Sequence, residues 1–514
     1  MQKKGLDKKF DFVIIGSGLG GLTSGLILAK EGFSVCILEK NAQIGGTLQT
    51  FYHAKTKFDT GVHYLGGLEP QQPLYPYFKY LGLMDDLNLQ KMNEDGFDMI
   101  SFKGDPNQYP IAQGYSNFKK QLLHFFPDQE KGLDKYIEKI KHVCNSFSLY
   151  YLKKENNFKE EVGLFFEGAK DVIEECVSNP KLRAILSASN VLYAGEGHKS
   201  PFYMHALIIN SYIESSYRVI GGGSTISRSL EKQLKKLGSI IVRNAEVTQV
   251  TIKDNKATNV ILKDGRTIEA DNFISNIHPT QTFKLFDTSM YRKVFKKRME
   301  NLENTASSFV LYVKLAPKSY PYHKSNLYHL DQKDVWDLPH TDNKKWGENL
   351  SVFSAPSKDD PEYTESLIVI VYMKYEEVKQ WENTFSTITE FSIRDQAYQD
   401  FKEEKSQIIL QNLEKLIPEI KGNIDSYTSS TPLTQRDYMN SPQGSLYGVQ
   451  KDYKMPMKSF VDTKTKIKNL FLTGQNIGVH GILGVIITAT VTCSAFLGRE
   501  EIVAKIRKSA YPNE

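Results

Sequence analysis

The 514-residue sequence predicts an α/β fold, in which a Rossmann-like dinucleotide-binding domain carries an inserted α+β domain with an antiparallel sheet. Three observations predict it. The apolar run 12–15 leads into a glycine turn at 16–21, as a strand leads into a helix. A second apolar run ends at an acid, Glu39. Further glycine turns at 221–223 and 473–476 indicate that one domain is assembled from separated segments.

The composition is ordinary for a globular protein, with 40% hydrophobic and 24% charged residues. The chain exceeds the ~250–300 residues at which a single core stops growing, so more than one domain is expected. A net charge of +5 is too small to indicate nucleic acid as a partner. The cysteines are widely separated, which predicts no metal site and suits a reducing, cytoplasmic compartment. They are Cys36, Cys144, Cys176 and Cys493.

The first glycine turn has the residues that a dinucleotide requires. Gly16 permits the tight turn, Gly18 lets the backbone approach a pyrophosphate, and Gly21 lets the helix pack against the strand. The pyrophosphate is then expected at the helix N-terminus, where free N–H groups and the dipole favour negative charge. Glu39 is expected to accept hydrogen bonds from a ribose hydroxyl and to repel a 2′-phosphate.

Two later segments are predicted to complete this domain. In the second segment, Ser224 is a candidate N-cap for a helix at 225–237, and strands follow it. The third segment has a strand at 470–472, a turn and a helix at 484–498. The predicted nucleotide-binding domain therefore consists of residues 1–70, 217–290 and 455–514.

The intervening residues are predicted to form a substrate-binding domain. Residues 71–215 have mostly helical patterns, and a long helix is expected over 390–417, before Pro418. An antiparallel sheet is predicted from the β-rich runs 307–316, 326–330, 350–355 and 366–374. The predicted boundaries of this domain are 71–216 and 291–454.

Several motifs, in the expected order, resemble those of a known superfamily. The chain is similar to the FAD-dependent phytoene desaturases and carotenoid isomerases, and within them to the all-trans-retinol 13,14-reductase branch. The motifs span nearly the whole chain, which makes them more specific together than singly. They are Gly16–Gly21 with Glu39 and Gly45-Gly46, Phe58–Tyr64, Ser200–Leu207, Thr431–Gly448 and Leu472–Gly484.

The resemblance implies a glutathione-reductase-type flavoprotein that acts on a conjugated, lipid-soluble polyene. FAD would lie extended, with its adenine near Val247 and its flavin near the C-terminal glycine turn. The helix after that turn would point its N-terminus at the flavin, where a positive dipole favours the anionic reduced form. The implied cofactor-binding residues are Gly16, Gly18, Gly20, Gly21, Glu39, Lys40, Gly45, Gly46, Thr47, Val247, Gly474, Gln475 and Gly484.

The sequence departs from the reductase branch at three points. Asn476 stands where the branch usually has aspartate, Val219-Ile220 where it has proline and a basic residue, and Asn210-Ser211-Tyr212 where it has asparagine, histidine and tyrosine. FAD binding is expected to survive these changes, whereas the substrate and any proton donor at these points stay open.

Reduction of a C=C bond requires a proton as well as a hydride, so a general acid is expected. His63 and His480 lie in or beside the matched motifs and are the candidate catalytic residues. Tyr64, His205 and Tyr212 are the candidate substrate contacts. Each of these residues is also compatible with an ordinary structural role.

Alternative functions remain open from the sequence. Saturation of the polyene is preferred, but desaturation or redox-neutral cis–trans isomerisation uses the same scaffold. A remote alternative is a lipid-binding protein like the GDP dissociation inhibitors, which need no intact FAD fingerprint. No second complete dinucleotide motif is present. The electron donor is therefore expected to be NAD(P)H that binds transiently or a protein redox partner.

Membrane contact is expected to be peripheral. Lysines cluster at 3–9 and 464–468, where they form solvated faces or favour an anionic membrane surface. Aromatic stretches such as 147–151 are expected mostly in the core, with some lining an apolar tunnel or contacting lipid. The apolar run 482–498 is shorter than the ~20 residues of a spanning helix and predicts a buried helix.

Overall fold

The computed structural model describes residues 8–153, 162–333, 335–341, 343–388 and 391–513. Its strands, in chain order, are β1 Phe10–Ile15, β2 Val35–Leu38, β3 Thr50–His53, β4 Thr56–Asp59, β5 Leu65–Gly66, β6 Leu89–Lys91, β7 Asp98–Phe102, β8 Gln108–Ile111, β9 Ser216–Val219, β10 Ile240–Val242, β11 Val247–Lys253, β12 Lys256–Leu262, β13 Thr267–Ser275, β14 Ser307–Leu315, β15 Asn326–Leu330, β16 Leu350–Pro356, β17 Thr364–Met373, β18 Ile424–Ser430 and β19 Leu470–Leu472.

The α-helices surround and connect these strands. In chain order they are α1 Leu19–Lys30, α2 Tyr75–Tyr80, α3 Tyr115–Phe125, α4 Glu130–Ser146, α5 Ala169–Cys176, α6 Pro180–Ser187, α7 Phe202–Glu214, α8 Ser224–Lys236, α9 Pro279–Thr282, α10 Lys293–Glu300, α11 Gln396–Leu416, α12 Pro432–Met439, α13 Pro456–Ser459, α14 Gly481–Leu497 and α15 Arg499–Ala510. The described residues therefore form a mixed α/β fold.

One sheet gathers strands from three distant parts of the chain. Its order is β10-β2-β1-β13-β12-β11, and β19 pairs with the C-terminal half of β13. The pairs β10–β2, β2–β1, β1–β13 and β13–β19 are parallel. The carboxyl ends of parallel strands meet at one edge, which is where ligands bind in open α/β sheets. Here that edge carries Gly16, Glu39, Asn276 and Thr473.

Helix α1 is buried almost completely because it is apolar on all sides and lies between this sheet and α14. Gly25 permits the close approach, since a Cβ there would lie 2.9 Å from the Ile37 side chain. Helix α14 is also largely buried, as the sequence predicts. Among the described residues, none of the helices combines the length and the apolar character needed to cross a bilayer.

The second large sheet has the order β18-β14-β17-β16-β15-β7-β8. The four runs predicted as strands are β14 to β17. The sheet is not wholly antiparallel, because β7 pairs with β15 in parallel. The prediction that residues 71–215 are mostly helical is therefore incomplete. The short strands β6 to β8 lie in that segment, and long-range pairing rather than a local signal establishes β7 and β8.

Two predicted helix boundaries are wrong. Ser224 is the first residue of α8 rather than its N-cap, and its hydroxyl oxygen accepts a hydrogen bond from Thr50 at 3.0 Å. The last glycine turn leads into α14 at Gly481, three residues before the predicted start. Gly498 then ends α14, and α15 follows it.

Candidate functional site

A cavity of about 450 Å³ lies at the carboxyl edge of the first sheet. Its wall contains the ends of β1 and β2, the start of α1, the start of β11 and the turn after β19. Most of the residues predicted to bind the cofactor line it. They are Gly16, Gly18, Gly20, Glu39, Lys40, Gly46, Thr47, Val247 and Gln475.

The first glycine turn packs so closely against Asn276 that side chains on it would clash. Gly16 has a φ of +92°, which a residue with a Cβ rarely adopts. A Cβ on Gly18 would lie 2.9 Å from the Asn276 amide nitrogen, and a Cβ on Gly20 would lie 2.5 Å from the Asn276 amide oxygen. Residues 16–20, here called the cradle, therefore contribute mainly backbone to the cavity wall.

Three other predicted glycines lie outside the cavity lining and hold its wall in place. A Cβ on Gly21 would lie 2.1 Å from the Gly16 carbonyl oxygen, so only glycine permits this strand-to-helix contact. Gly45 donates its N–H to the Ser17 carbonyl at 3.0 Å. The Cα of Gly474 lies 2.9 Å from the position of a Cβ on Gly20.

Glu39 is buried and its carboxylate is oriented by the protein. One oxygen accepts hydrogen bonds from the Ser17 N–H at 3.1 Å and the Ser17 hydroxyl at 2.5 Å. The other accepts from the Asn41 N–H at 2.8 Å. Because each carboxylate oxygen has two acceptor sites, acceptor capacity remains for a ribose hydroxyl. Lys40 donates to the Asp437 carbonyl at 2.9 Å and so joins this edge to α12.

Sequence reasoning missed Asn276, whose side chain lies between the first glycine turn and the last one. It donates weakly to the Gly16 carbonyl at 3.5 Å and lines the cavity. Its position could have indicated this role. Asn276 directly follows a predicted strand, as Glu39 does, and ligands bind at the carboxyl ends of parallel strands. Together the cradle, the helix N-terminus and the fixed carboxylate fit an extended dinucleotide.

A second cavity, of about 620 Å³, is lined mostly by apolar side chains. The predicted residues Tyr212, His480 and Gly484 line it. Gly484 was predicted to bind the cofactor, but it lies in the apolar cavity rather than the nucleotide cavity. A Cβ there would lie 2.5 Å from the Val479 carbonyl oxygen, so this glycine permits the first turn of α14.

His63 and Tyr64 lie outside both cavity linings, in an aromatic layer next to the apolar cavity. The Tyr64 ring packs on Tyr212 with 4.4 Å between ring centroids, and the His63 ring stacks on Phe353 at 4.3 Å. Burial lowers the pKa of His63 to about 3, with a further contribution from Arg218. His63 is therefore neutral at physiological pH, which makes it a poor proton donor.

A buried polar network supports this aromatic layer. The Tyr64 hydroxyl donates to Asp98 at 2.9 Å, and Asn326 donates to the other Asp98 oxygen at 2.8 Å. Burial raises the pKa of Asp98 to about 7, although the hydrogen bonds from Asn326 and Tyr64 oppose the increase. Arg218 donates to Asn326 at 2.9 Å and to the His63 carbonyl at 2.9 Å.

We expect Asp98 to make stability fall as the pH rises. Between the ordinary aspartate pKa of about 4 and a folded-state pKa of about 7, the folded protein retains a proton that the unfolded chain releases. Unfolding melts at pH 5 and pH 8 would show a larger drop for wild type than for Asp98→Asn. The exposed Asp95→Asn is the control and should retain the wild-type drop. Equal drops in wild type and Asp98→Asn would contradict this assignment.

His205 has a structural environment. It is fully buried on α7, and its two ring nitrogens contact the Tyr136 hydroxyl at 2.6 Å and the Tyr193 hydroxyl at 3.1 Å. It lies outside the lining of the apolar cavity. Burial lowers its pKa to about 3. This placement joins α7 to α4 and does not favour the predicted contact with substrate.

His480 lies at the N-cap of α14 and lines the apolar cavity. Its ring packs against Tyr447 with 4.8 Å between centroids, and its Nδ1 has no hydrogen-bond partner among the described residues. Burial, and then the nearby Lys451, lower its pKa to about 3. Sequence reasoning missed Lys451 itself, because a lysine in a polar loop is normally solvated.

The fold and the first cavity define a Rossmann-like protein that binds a dinucleotide. The chain belongs to the flavin containing amine oxidoreductase family, whose sequence profile matches residues 19–493. The all-trans-retinol 13,14-reductase of Danio rerio is 27% identical to it, over 95% of this chain and 86% of that protein. A chloroplastic prolycopene isomerase of an Oncidium hybrid is 23% identical, over 91% and 80%.

A solved structure has the same fold. An oxidoreductase from Methanosarcina mazei superposes with a TM-score of 0.62 at 17% identity, over 93% of this chain and 99% of that one. The two curated relatives confirm the resemblance that the sequence motifs indicate.

Proposed function

We propose that this chain is an FAD-dependent oxidoreductase that saturates a C=C bond of a lipid-soluble polyene. The observation that carries the proposal is the meeting of the two cavities at the turn before α14. Gln475 and Asn476 line the nucleotide cavity, whereas Ile477 and Gly478, the next residues, line the apolar cavity. A polyene in the second cavity would therefore lie next to a dinucleotide in the first.

FAD would be bound by residues 1–70, 217–290 and 455–514, and the substrate mainly by residues 71–216 and 291–454. The glycine turn of α1 would hold the pyrophosphate, Glu39 a ribose and the start of β11 the adenine. The wall of the apolar cavity would come from both parts of the chain, including α7 and α14. The retinol reductase and prolycopene isomerase names of the relatives support a polyene as the substrate class.

Bound flavin supplies the hydride in this chemistry. The residues of this chain would hold the double bond of the polyene next to the flavin, exclude water and supply the proton. The apolar lining excludes water, and Tyr212 contributes an aromatic surface backed by Tyr64. Burial lowers the pKa values of the two histidines predicted as acids to about 3, so both are neutral at pH 7 and another group is a better proton donor.

Anaerobic incubation of the yellow holoprotein with all-trans-retinol and with a longer carotenoid tests the proposal. Parallel samples would contain dithionite, NADPH or NADH, which separates a chemical reductant from a nicotinamide donor. Chromatography with mass detection should show a product heavier by two hydrogens. Free reduced flavin without protein is the control. Unchanged substrate in every sample would refute the function.

Isomerisation is the second candidate, because one relative is a prolycopene isomerase. It predicts a product of unchanged mass with a shifted retention time. Desaturation would instead remove two hydrogens from the substrate and require an electron acceptor. The same chromatogram therefore separates the three outcomes.

We further propose that the mouth of the apolar cavity contacts a membrane surface. Phe166, Met457 and Phe460 line this cavity and are 56%, 70% and 46% exposed. Such side chains are costly in water but stable in the interfacial region of a bilayer. Lys464, Lys466 and Lys468 follow the lining residues 461–463 and are exposed, which suits anionic lipid.

We expect the double variant Met457→Ser and Phe460→Ser to bind vesicles at least tenfold more weakly than wild type. Burial of each side chain contributes about 1.5–3 kcal/mol, and 1.4 kcal/mol is a factor of ten. Co-sedimentation with vesicles of phosphatidylcholine and phosphatidylserine measures this. Leu237→Ser, which removes an exposed leucine after α8, is the matched control. Wild-type binding by the double variant would exclude this docking surface.

A further inference from the structure

The side chain of Lys451 is a cation buried at the wall of the apolar cavity. The residue is only 9% exposed, and its Nζ donates a long hydrogen bond of 3.4 Å to the Asn476 carbonyl. Within the described residues, no carboxylate lies within ion-pair distance of it. A buried ammonium is costly when it is unpaired, and such groups are usually neutralised or paired. Desolvation therefore favours release of the proton from this ammonium.

The position of Lys451 is where substrate and cofactor would meet. Lys451 lines the apolar cavity, while Asn476, whose carbonyl it contacts, lines the nucleotide cavity. The Asn476 side chain is itself fixed, because its amide oxygen accepts from the Val449 N–H at 3.1 Å. The Nζ is thus held at the junction by the chain segment that separates the two cavities.

We propose, on the basis of the function proposed above, that Lys451 is the proton donor of the reaction. Reduced flavin, when bound, would supply a hydride to one carbon of the polyene double bond and would itself be oxidised. The π electron pair then moves to the neighbouring carbon, which takes a proton from Nζ. In total the π bond and one N–H bond break and two C–H bonds form, one from the hydride and one from the proton, and the lysine is left as a neutral amine. After the product has left the cavity, solvent returns a proton to the amine.

The other titratable groups near this position are weaker candidates. His480 is neutral, and burial raises the pKa values of Tyr447 and Tyr212, so these hydroxyls lose protons less readily. Burial lowers the pKa of Lys451 to about 8. The side chain is therefore mostly protonated at pH 7 and still able to release a proton. The remaining titratable side chains of this cavity are Tyr150, Tyr203, Asp452, Asp462 and Arg499.

The test uses holoprotein reduced with dithionite, all-trans-retinol and the variants Lys451→Met and Lys451→Arg. General acids typically contribute 10²–10⁴-fold, so both variants should lose at least a hundredfold in the rate of saturation. Arginine retains the charge but does not release its proton, which separates acid catalysis from electrostatic attraction. Lys454→Met changes an exposed lysine nearby and should leave the rate unchanged.

Two readouts distinguish a proton donor from a structural lysine. The wild-type rate should fall tenfold per pH unit above about pH 8, because the protonated fraction falls in that way. Competitive acetylation, read by mass spectrometry from pH 6 to pH 10, measures the pKa of Lys451 without requiring enzyme activity. The extent of acetylation of Lys451 should have its midpoint near pH 8.

Several results would overturn the assignment. The first is a wild-type rate of saturation in Lys451→Arg. The second is a rate in Lys451→Met that depends on pH as the wild-type rate does. The third is an acetylation midpoint of Lys451 at the pH expected for a solvated lysine. If Lys451→Met does not retain flavin, its loss of activity is not informative, and the rate of Lys451→Arg then decides whether Lys451 is the proton donor. If wild type converts no polyene at all, the proposed function fails as well, whereas active wild type with an unaffected variant refutes only the role of Lys451.

Discussion

Gly20→Ala is expected to yield a folded protein that does not retain flavin. The new Cβ would lie 2.5 Å from the Asn276 amide oxygen and 2.9 Å from the Gly474 Cα. The Gly474 backbone cannot rotate away as a side chain can, so the cavity wall must shift. Overpacking of this kind costs about 1–3 kcal/mol, and a wall that shifts into the space of the cofactor transfers this cost to binding, a loss of affinity of about fivefold to 150-fold.

The ratio of visible flavin absorbance to protein after gel filtration measures this loss, and titration with FAD measures the affinity. Gly163→Ala is the matched control, because a Cβ at that exposed position would meet no atom within 4 Å. Circular dichroism establishes that both variants are folded. A yellow Gly20→Ala protein with wild-type affinity would show that the cofactor does not depend on this cradle.

Asp437→Ala is expected to destabilise the protein by about 3–5 kcal/mol, because it leaves two guanidinium groups without their buried partner. The Asp437 side chain is fully buried, and its oxygens lie 2.5 Å from Arg394 and 2.6 Å from Arg436. It also accepts the Ser386 N–H at 3.0 Å. Since Tyr438 and Met439 line the nucleotide cavity, weaker flavin retention should accompany the loss of stability.

Asp425→Ala is the matched control for this prediction. Asp425 pairs with Lys314 at 2.6 Å, but its side chain is 48% exposed, and exposed pairs contribute about 0–1 kcal/mol. Urea unfolding of both variants compares the two costs directly. Similar midpoints for the two variants would show that the buried cluster around Asp437 is not required for stability.

The nucleotide cavity was largely predictable because its signals are local. Gly16 and Gly18 lie within one turn, and Glu39 ends the next strand. The backbone geometry of such a turn requires glycine whatever surrounds it. In contrast, β7 pairs in parallel with β15, more than two hundred residues away, and nothing in its own five residues indicates that partner.

The side chains that fill the space between elements were less predictable. Asn276 and Lys451 line the two cavities only because distant parts of the chain meet around them. His205 was predicted at the substrate because of its motif, but Tyr136 and Tyr193 occupy both of its ring nitrogens. A motif specifies which residue is present. Its burial and its hydrogen-bond partners determine whether it is protonated and whether it can contact a substrate.

The sequence by itself determined the mixed α/β fold, the dinucleotide fingerprint and the resemblance to polyene-converting flavoproteins, because these depend on local spacing and on motif order. Only the tertiary structure decided that Gly484 faces the apolar cavity, that His63 and His480 are neutral, and that Lys451 is buried where the two cavities meet. The physical reason is desolvation, which depends on every neighbouring element and which no local pattern of residues encodes.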